Sequence, residues 1–324
     1  MPAPPDADLA SRSLGELNDH EIASLTAALK DEQAQQRPLV GPIEPLERLA
    51  DEYQPGTHYR AKIQRLQADG WTSLRRSRGD GDCFYRAFIF SLLTAHLSLP
   101  ASSSALLLST FESLLPLLTA CGFEEMVWSD FWEPLRDILR RMGPEEKDGG
   151  ARKDGEPRLG LDELVRLFND PETNSCIIVH LRLVTSAYLR THADDYTPFL
   201  FALEDDPRFV SVSPAEGGGQ GGGGPPTMAQ FCAYHVEAVN READHLQIVA
   251  LTRALGTPVR IAYLDQSGFS LGAGGGEGAG GGGQGDGVEV NFVEFEDDAA
   301  RRGAVGIDGA LLYRPGHYDM ISRA

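Results

Sequence analysis

Apolar positions recur along this chain with two periods, and the dominant one changes near residue 256. Phe84, Ala87, Phe88, Ser91, Leu92 and Ala95 fall at i, i+3, i+4 and i+7 spacing, which predicts an apolar helix running to Pro100. Leu106, Leu107, Phe111, Leu114, Leu115 and Leu118 predict a second helix over Ser102–Cys121, with Pro116 as a potential kink. A third is expected over Trp128–Arg141, with Ser129 or Asp130 offering an N-cap. Pro171–Leu189 carries Ile177, Leu181, Val184 and Tyr188 at helical spacing and reads as the central helix. Shorter helices are expected at Glu44–Tyr53, His58–Ala68, Met228–Val239 and Asp244–Leu255, the last capped by Asp244.

Strand patterns are fewer and lie mostly late. Trp71–Arg76 alternates enough to be a strand. After Gly256-Thr257-Pro258, β-prone runs follow at Val259–Leu264, Val288–Phe295, Ala310–Tyr313 and His317–Ile321. Late strands beside a helical half predict an α+β domain.

Composition refines this picture in three places. Half of the 36 glycines lie in two tracts, seven in 217–224 and eleven in 272–287, so the insertions at about 205–226 and 272–287 are expected to be flexible loops within one domain. Gly143–Leu159 is charged and reads as a further loop. Residues 1–44 read as an N-terminal tail, partly disordered over the Pro/Ala/Asp-rich start, with a short amphipathic helix over Leu14–Lys30 carrying Leu17, Ile22, Leu25 and Leu29. The catalytic domain is then expected over 45–324. The net charge of −19 argues against nucleic-acid binding, which needs a basic footprint, and suits a basic partner. Arg75, Arg76 and Arg78 are too few to change that and read as a solvated edge. Cys83, Cys121, Cys176 and Cys232 lack the paired spacing of a zinc site or disulfide framework, so no metal and no cofactor is expected. No run of about 18 apolar residues suggests a membrane span, and the Met1-Pro2-Ala3-Pro4-Pro5 start lacks a signal-peptide core. The expected location is cytoplasmic, with the nucleus as a further compartment.

Chemistry concentrates in Gly79-Asp80-Gly81-Asp82-Cys83-Phe84-Tyr85-Arg86-Ala87-Phe88. Two glycines alternate with two aspartates in a turn, and an apolar helix follows. Cys83 stands at the junction, where the helix dipole and unpaired first-turn N–H groups favour a thiolate. The same N–H groups, from Gly81, Asp82 and Cys83, could hold an oxyanion. Cys121, Cys176 and Cys232 sit in apolar helical stretches and read as core fillers.

A nucleophilic cysteine needs a base and a group to orient it. Among the eight histidines, His317 follows a Pro315-Gly316 turn and precedes Asp319 by two residues. On a strand, i and i+2 share a face, so Asp319 can hold one imidazole nitrogen while the other meets a thiol. Tyr318 then faces the packing. His20, His58 and His192 read as solvent-facing, and His96, His180 and His235 as structural residues of helices.

The motif Asp80-Gly81-Asp82-Cys83-Phe84-Tyr85-Arg86-Ala87-Phe88, with Tyr313-Arg314-Pro315-Gly316-His317-Tyr318-Asp319, resembles the otubain family of OTU-type deubiquitinating cysteine proteases. Phe168-Asn169-Asp170, the run Leu181–Leu189, and Ala243-Asp244-His245 before Ala250–Leu255 extend the resemblance over roughly residues 45–324. It implies a papain-like α+β fold with a small mixed sheet flanked by a larger helical part. It also implies hydrolysis of isopeptide bonds at the ubiquitin C-terminus. By position, Cys83 would be the nucleophile, His317 the base and Asp319 its orienter, and Asp80, the family's aspartate at the active-site turn, joins the candidate catalytic set. Most relatives carry Asn where this sequence has Asp82. Ubiquitin and polyubiquitin chains would be the partners, with ubiquitin-conjugating enzymes as further ones. Two alternatives from other classes remain at this point: a ubiquitin-binding regulator that sequesters conjugating enzymes, and a papain-like general protease or acyltransferase.

Overall fold

The computed structural model describes residues 36–145, 147, 152–203, 225–265, 288–295 and 305–323. The Leu14–Lys30 helix and both glycine tracts lie outside these residues.

Six strands form one mixed sheet in the order β1-β2-β6-β5-β3-β4: β1 (Val40–Pro45), β2 (Trp71–Ser77), β3 (Val259–Tyr263), β4 (Asn291–Phe295), β5 (Ala310–Arg314) and β6 (His317–Arg323). All pairings are antiparallel except β3 with β5. The strand nearest the C-terminus therefore lies centrally, between β2 and β5. Pro315 and Gly316 close the β5–β6 hairpin in a two-residue turn, and Gly316 supplies the positive φ of 76° such a turn needs.

Two layers cover the sheet. On one face, α1 (Glu47–Ala50) and α2 (His58–Ala68) bury Leu49, Ile63 and Leu66 against Leu74, Leu312 and Ile321. The other face carries the larger helical half: α3 (Cys83–Leu97), α4 (Ala101–Ala120), α5 (Glu125–Met142), α6 (Leu161–Phe168), α7 (Pro171–Thr191) and α10 (His245–Leu255). Between α7 and α10 run the short α8 (Ala193–Leu200) and α9 (Met228–Phe231), the latter continuing into a π-helical turn, Cys232–Val236. The expected α+β architecture, a mixed sheet beside a larger helical part, is what the chain adopts. Among the described residues α4 alone is long and apolar enough to cross a membrane. It instead buries Leu107, Phe111, Leu114 and Leu118 in the core.

Several local expectations are corrected. The helix expected over Glu44–Tyr53 is one turn, Glu47–Ala50, because residues 40–45 pair with β2 instead. Pro42 and Pro45 hide this strand from a pattern search, yet an edge strand tolerates them since one side needs no ladder donors. Ordered structure thus begins upstream of residue 45. Helix α5 starts at Glu125 with Glu124 as its N-cap, so neither Ser129 nor Asp130 caps it. Arg75 and Arg76 are not a solvated edge. Arg75 lies over the Phe90 ring and donates to Gly41 O, while Arg76 pairs with Glu44 and Glu52.

Candidate active site

The nucleophile turn sits where β2 hands over to α3. Gly81 has φ +84°, and a Cβ there would fall 2.4 Å from the Asn240 carbonyl, so both conformation and space demand glycine. Asp80 Oδ1 accepts the Asp82 N–H at 3.1 Å, closing the turn from within. Cys83 follows as the first residue of α3 and is buried.

Two buried arginines hold this turn from outside. Arg86, one helical turn after Cys83, forks onto Asp80 through Nη1–Oδ1 at 3.0 Å and Nη2–Oδ2 at 2.7 Å. Its Nε donates to Asn174 Oδ1, and its Nη1 reaches Ser77 Oγ and Arg78 O. Arg182, fully buried on α7, donates Nε to Asp82 Oδ1 at 3.0 Å and lies 4.5 Å above the Tyr85 ring. It also donates to Val236 O and Arg241 O. The Asn240 N–H completes the Asp82 environment at 3.2 Å. Each acid of the turn thus has its own cation, which offsets part of the cost of desolvating carboxylate charge.

The second half comes from β6. His317 Nε2 shares a hydrogen bond of 2.8 Å with Asp319 Oδ1, as i, i+2 neighbours on one strand face. Cys83 lies close enough to His317 to raise its pKa, and with Nε2 taken by Asp319 the ring edge left to face the thiol is Nδ1. Gly79 makes room for that edge of the ring, since a Cβ there would lie 3.3 Å from Nδ1. Asp319 is fully buried. Its Oδ1 also accepts the Ser77 N–H at 3.0 Å, and its Oδ2 accepts Arg314 Nη2 at 2.6 Å. Tyr318 faces away into packing, edge-on to Phe84 at 5.4 Å. Ser77 links the halves, because its N–H meets Asp319 while its hydroxyl meets Arg86.

This geometry sets the protonation states. Burial opposes charge on His317, but the hydrogen bond to Asp319 and the nearby Cys83 overcome it and push its pKa up to about 9. Burial likewise opposes charge on Asp319, yet His317, Arg314 and the Ser77 N–H bring its pKa down to about 2. At neutral pH the pair is therefore an imidazolium held by a carboxylate. The other thiols lie in the opposite regime: burial raises Cys121 and Cys176 and pushes Cys232 up to about 12. That chemistry suits inert thiols, although of the three only Cys232 is a buried core residue and Cys121 and Cys176 are half-buried.

The structure brings together Cys83, His317 and Asp319 of the expected set. Asp80 contacts Arg86 and the turn rather than His317, the turn-shaping place its position on the Gly turn suggests. The Asp82 N–H is spent on Asp80, so it is not a free oxyanion donor, whereas the Cys83 N–H, at the first helical position, has no intrahelical acceptor. Pattern reading missed Arg86, Arg182 and Arg314 as parts of the site. A signal existed for the first two, since each is a single cation inside an otherwise apolar helix stretch.

A family model described as Peptidase C65 Otubain matches residues 32–323. The Arabidopsis thaliana OVARIAN TUMOR DOMAIN-containing deubiquitinating enzyme 1 is 32% identical over 91% of this chain and 84% of its own length. The human Ubiquitin thioesterase OTUB1 is 28% identical over 94% of this chain and 90% of its own. A solved structure of h/ceOTUB1 with ubiquitin aldehyde and UBC13~Ub superposes with a TM-score of 0.66 at 26% identity, covering 94% of this chain and 98% of that one. The match to the family model spans the nucleophile turn, both turn-holding arginines and the His317 strand, and the chain belongs to the otubain family of C65 peptidases.

Proposed function

We propose that this chain is a cysteine deubiquitinase in which Cys83, His317 and Asp319 form the catalytic triad. The observation that carries the assignment is the Asp319–His317 hydrogen bond, which leaves the Nδ1 edge of the ring against the Gly79 turn that leads into Cys83 at the head of α3. The Cys83 sulfur, as thiolate, attacks the carbonyl carbon of the bond between the ubiquitin C-terminal glycine and a lysine amine. The carbonyl electrons move onto oxygen, where the Cys83 N–H is a donor. On collapse, His317 protonates the departing amine through Nδ1, leaving a thioester on Cys83. His317 then takes a proton from water, hydroxide attacks the thioester, and the thiolate is released with a free ubiquitin carboxylate. Asp319 keeps the ring oriented and favours its charged form throughout.

A ubiquitin probe with a C-terminal electrophile tests this reading. It is expected to label Cys83 in the unsubstituted protein and nothing in Cys83→Ser, which also loses hydrolysis while keeping its fold. Residual turnover near the unsubstituted rate would move the nucleophile elsewhere, and a general protease would ignore the probe.

A second role accompanies the first. Solved relatives were captured with UBC13~Ub and UBCH5B~Ub, which supports binding of charged conjugating enzymes by this chain. Inhibition of ubiquitin transfer by Cys83→Ser protein would support it, and no effect on transfer at saturating protein would exclude it.

A further inference from the structure

Asp319 lies on the sheet face that carries α1 and α2, opposite its cross-strand partner Leu312 in that core. The nucleophile, by contrast, heads a helix of the other layer. Something must hold the Asp319 carboxylate in register with an imidazole that spans this divide. Two of its contacts come from His317 and Ser77, and both fall on Oδ1. Among the described residues only Arg314 engages Oδ2. Arg314 is the cross-strand partner of His317 in the β5–β6 hairpin, so the hairpin itself delivers it to the same face. Its other end, Nη1, donates to Glu52 Oε2 at 3.0 Å. Glu52 in turn meets Arg76 at 2.5 Å, and Arg76 meets Glu44 at 2.5 Å. A chain of alternating charges therefore runs from the buried acid of the triad to residues flanking α1.

We propose that Arg314 is a positioning residue for catalysis, fixing the Asp319 carboxylate against His317 and anchoring it through Glu52 to the α1 layer. The inference rests on the triad reading above. The guanidinium is suited to this because its planar fork serves two carboxylates at once, which a lysine ammonium cannot do in one geometry. Without it, Oδ2 would be a buried, unpaired carboxylate oxygen, free to rotate away from the ring. The charged groups facing this acid are Arg314 from β5, His317 from β6, Arg76 from β2 and, through Arg314, Glu52 after α1. Cys83 from α3 acts through His317. Removing Arg314 takes away one of the charges that hold the Asp319 pKa low.

The test compares Arg314→Met, Arg314→Lys and Glu52→Gln on a ubiquitin C-terminal fluorogenic substrate across pH. Arg314→Met is expected to lower kcat by about tenfold to a hundredfold, the scale of a small misplacement of a catalytic group, with KM nearly unchanged. The acidic limb of its kcat profile should move to higher pH, because Asp319 takes up a proton sooner. The far-downfield proton resonance of the His317–Asp319 hydrogen bond should weaken or vanish. Arg314→Lys should restore the limb and part of kcat, and Glu52→Gln should show the same changes more mildly. A loss that merely scales the whole profile, with the resonance intact, would mean a general structural role and overturn the proposal. So would unchanged kcat in Arg314→Met, or a change confined to KM. If Arg314→Met fails to fold, the limb shift in Glu52→Gln and the partial loss of kcat in Arg314→Lys decide the matter, and their absence refutes it. Probe labelling separates the two levels: an unsubstituted protein that the probe does not label overturns the triad reading and this inference together, whereas normal labelling with unaltered Arg314 variants overturns this inference alone.

Discussion

Two imidazoles, one half-buried in the site and one fully buried in the helical half, have been driven in opposite directions. His317 lies between a carboxylate and a thiol and is pushed up to about 9. His180, on α7, is fully buried 4.9 Å from the Trp132 ring and 6.1 Å from Phe111, and burial alone pushes it down to about 3. Neither of its ring nitrogens has a hydrogen-bond partner among the described residues. The same side chain is thus a stable cation in one layer and a neutral aromatic filler in the other. Burial sets the cost of charge in both places, and what differs is whether a counter-charge was buried with it. Around the site, Arg86, Arg182 and Arg314 each meet an aspartate.

If paired burial is what separates the regions, unpairing the site should hurt most. Arg182→Met leaves Asp82 with only the Asn240 N–H beside it and is expected to cost about 3–5 kcal/mol of stability in urea unfolding. Arg182→Met with Asp82→Asn should recover part of that loss, since the stranded charge is gone. No recovery would mean that Arg182 acts through packing on Tyr85 instead.

Next in size is Asp319→Ala, which removes the counter-charge of His317. It is expected to lower kcat by roughly ten- to several-hundred-fold, less than the ~10⁴ known for a serine triad because a thiol needs less help. Steady-state kinetics on the fluorogenic substrate measures it. Wild-type kcat in this variant, with loss in Asp80→Ala instead, would return the orienting role to the turn.

The helical half should respond to pH with the opposite sign. Because folded His180 refuses a proton that the unfolded chain accepts, its contribution to stability falls as pH drops from about 6.5 toward 3. Replacing it in His180→Phe should flatten that fall by up to about 1.4 kcal/mol per pH unit, read from unfolding curves between pH 7 and 5. His317 behaves inversely, since its raised pKa contributes stability below about 6.5 that is lost as pH rises through about 9. The mildest test follows from that value: kcat/KM should decline on the alkaline side near pH 9, as the imidazolium deprotonates.

How much of this was legible in the sequence follows the same division. The apolar periodicity of Pro171–Leu189 gave α7 within two residues of its end, because a central helix is written in its own side chains. His317 and Asp319 could be placed on one strand face from their spacing alone. Strand β1 could not be found, since its two prolines obey a rule about sheet edges that no local pattern reveals. The arginine partners were equally out of reach: Arg182 lies 100 positions from Asp82, and only the folded chain shows that a charge in an apolar helix has somewhere to go. Counting the Asp82 N–H among the oxyanion donors has a related cause, as an N–H count ignores which donors a nearby side chain has already claimed.

The central place of β6 in the sheet has a consequence for biosynthesis. Cys83 leaves the ribosome well before the strand bearing its base, which is translated after the other five strands of the sheet and must insert between β2 and β5. With roughly 230 residues between them and translation at about 5–20 residues per second, the nascent chain carries its nucleophile without a base for about 10–50 s. Until that strand docks, the nascent chain meets the cell's pool of ubiquitin conjugates unarmed.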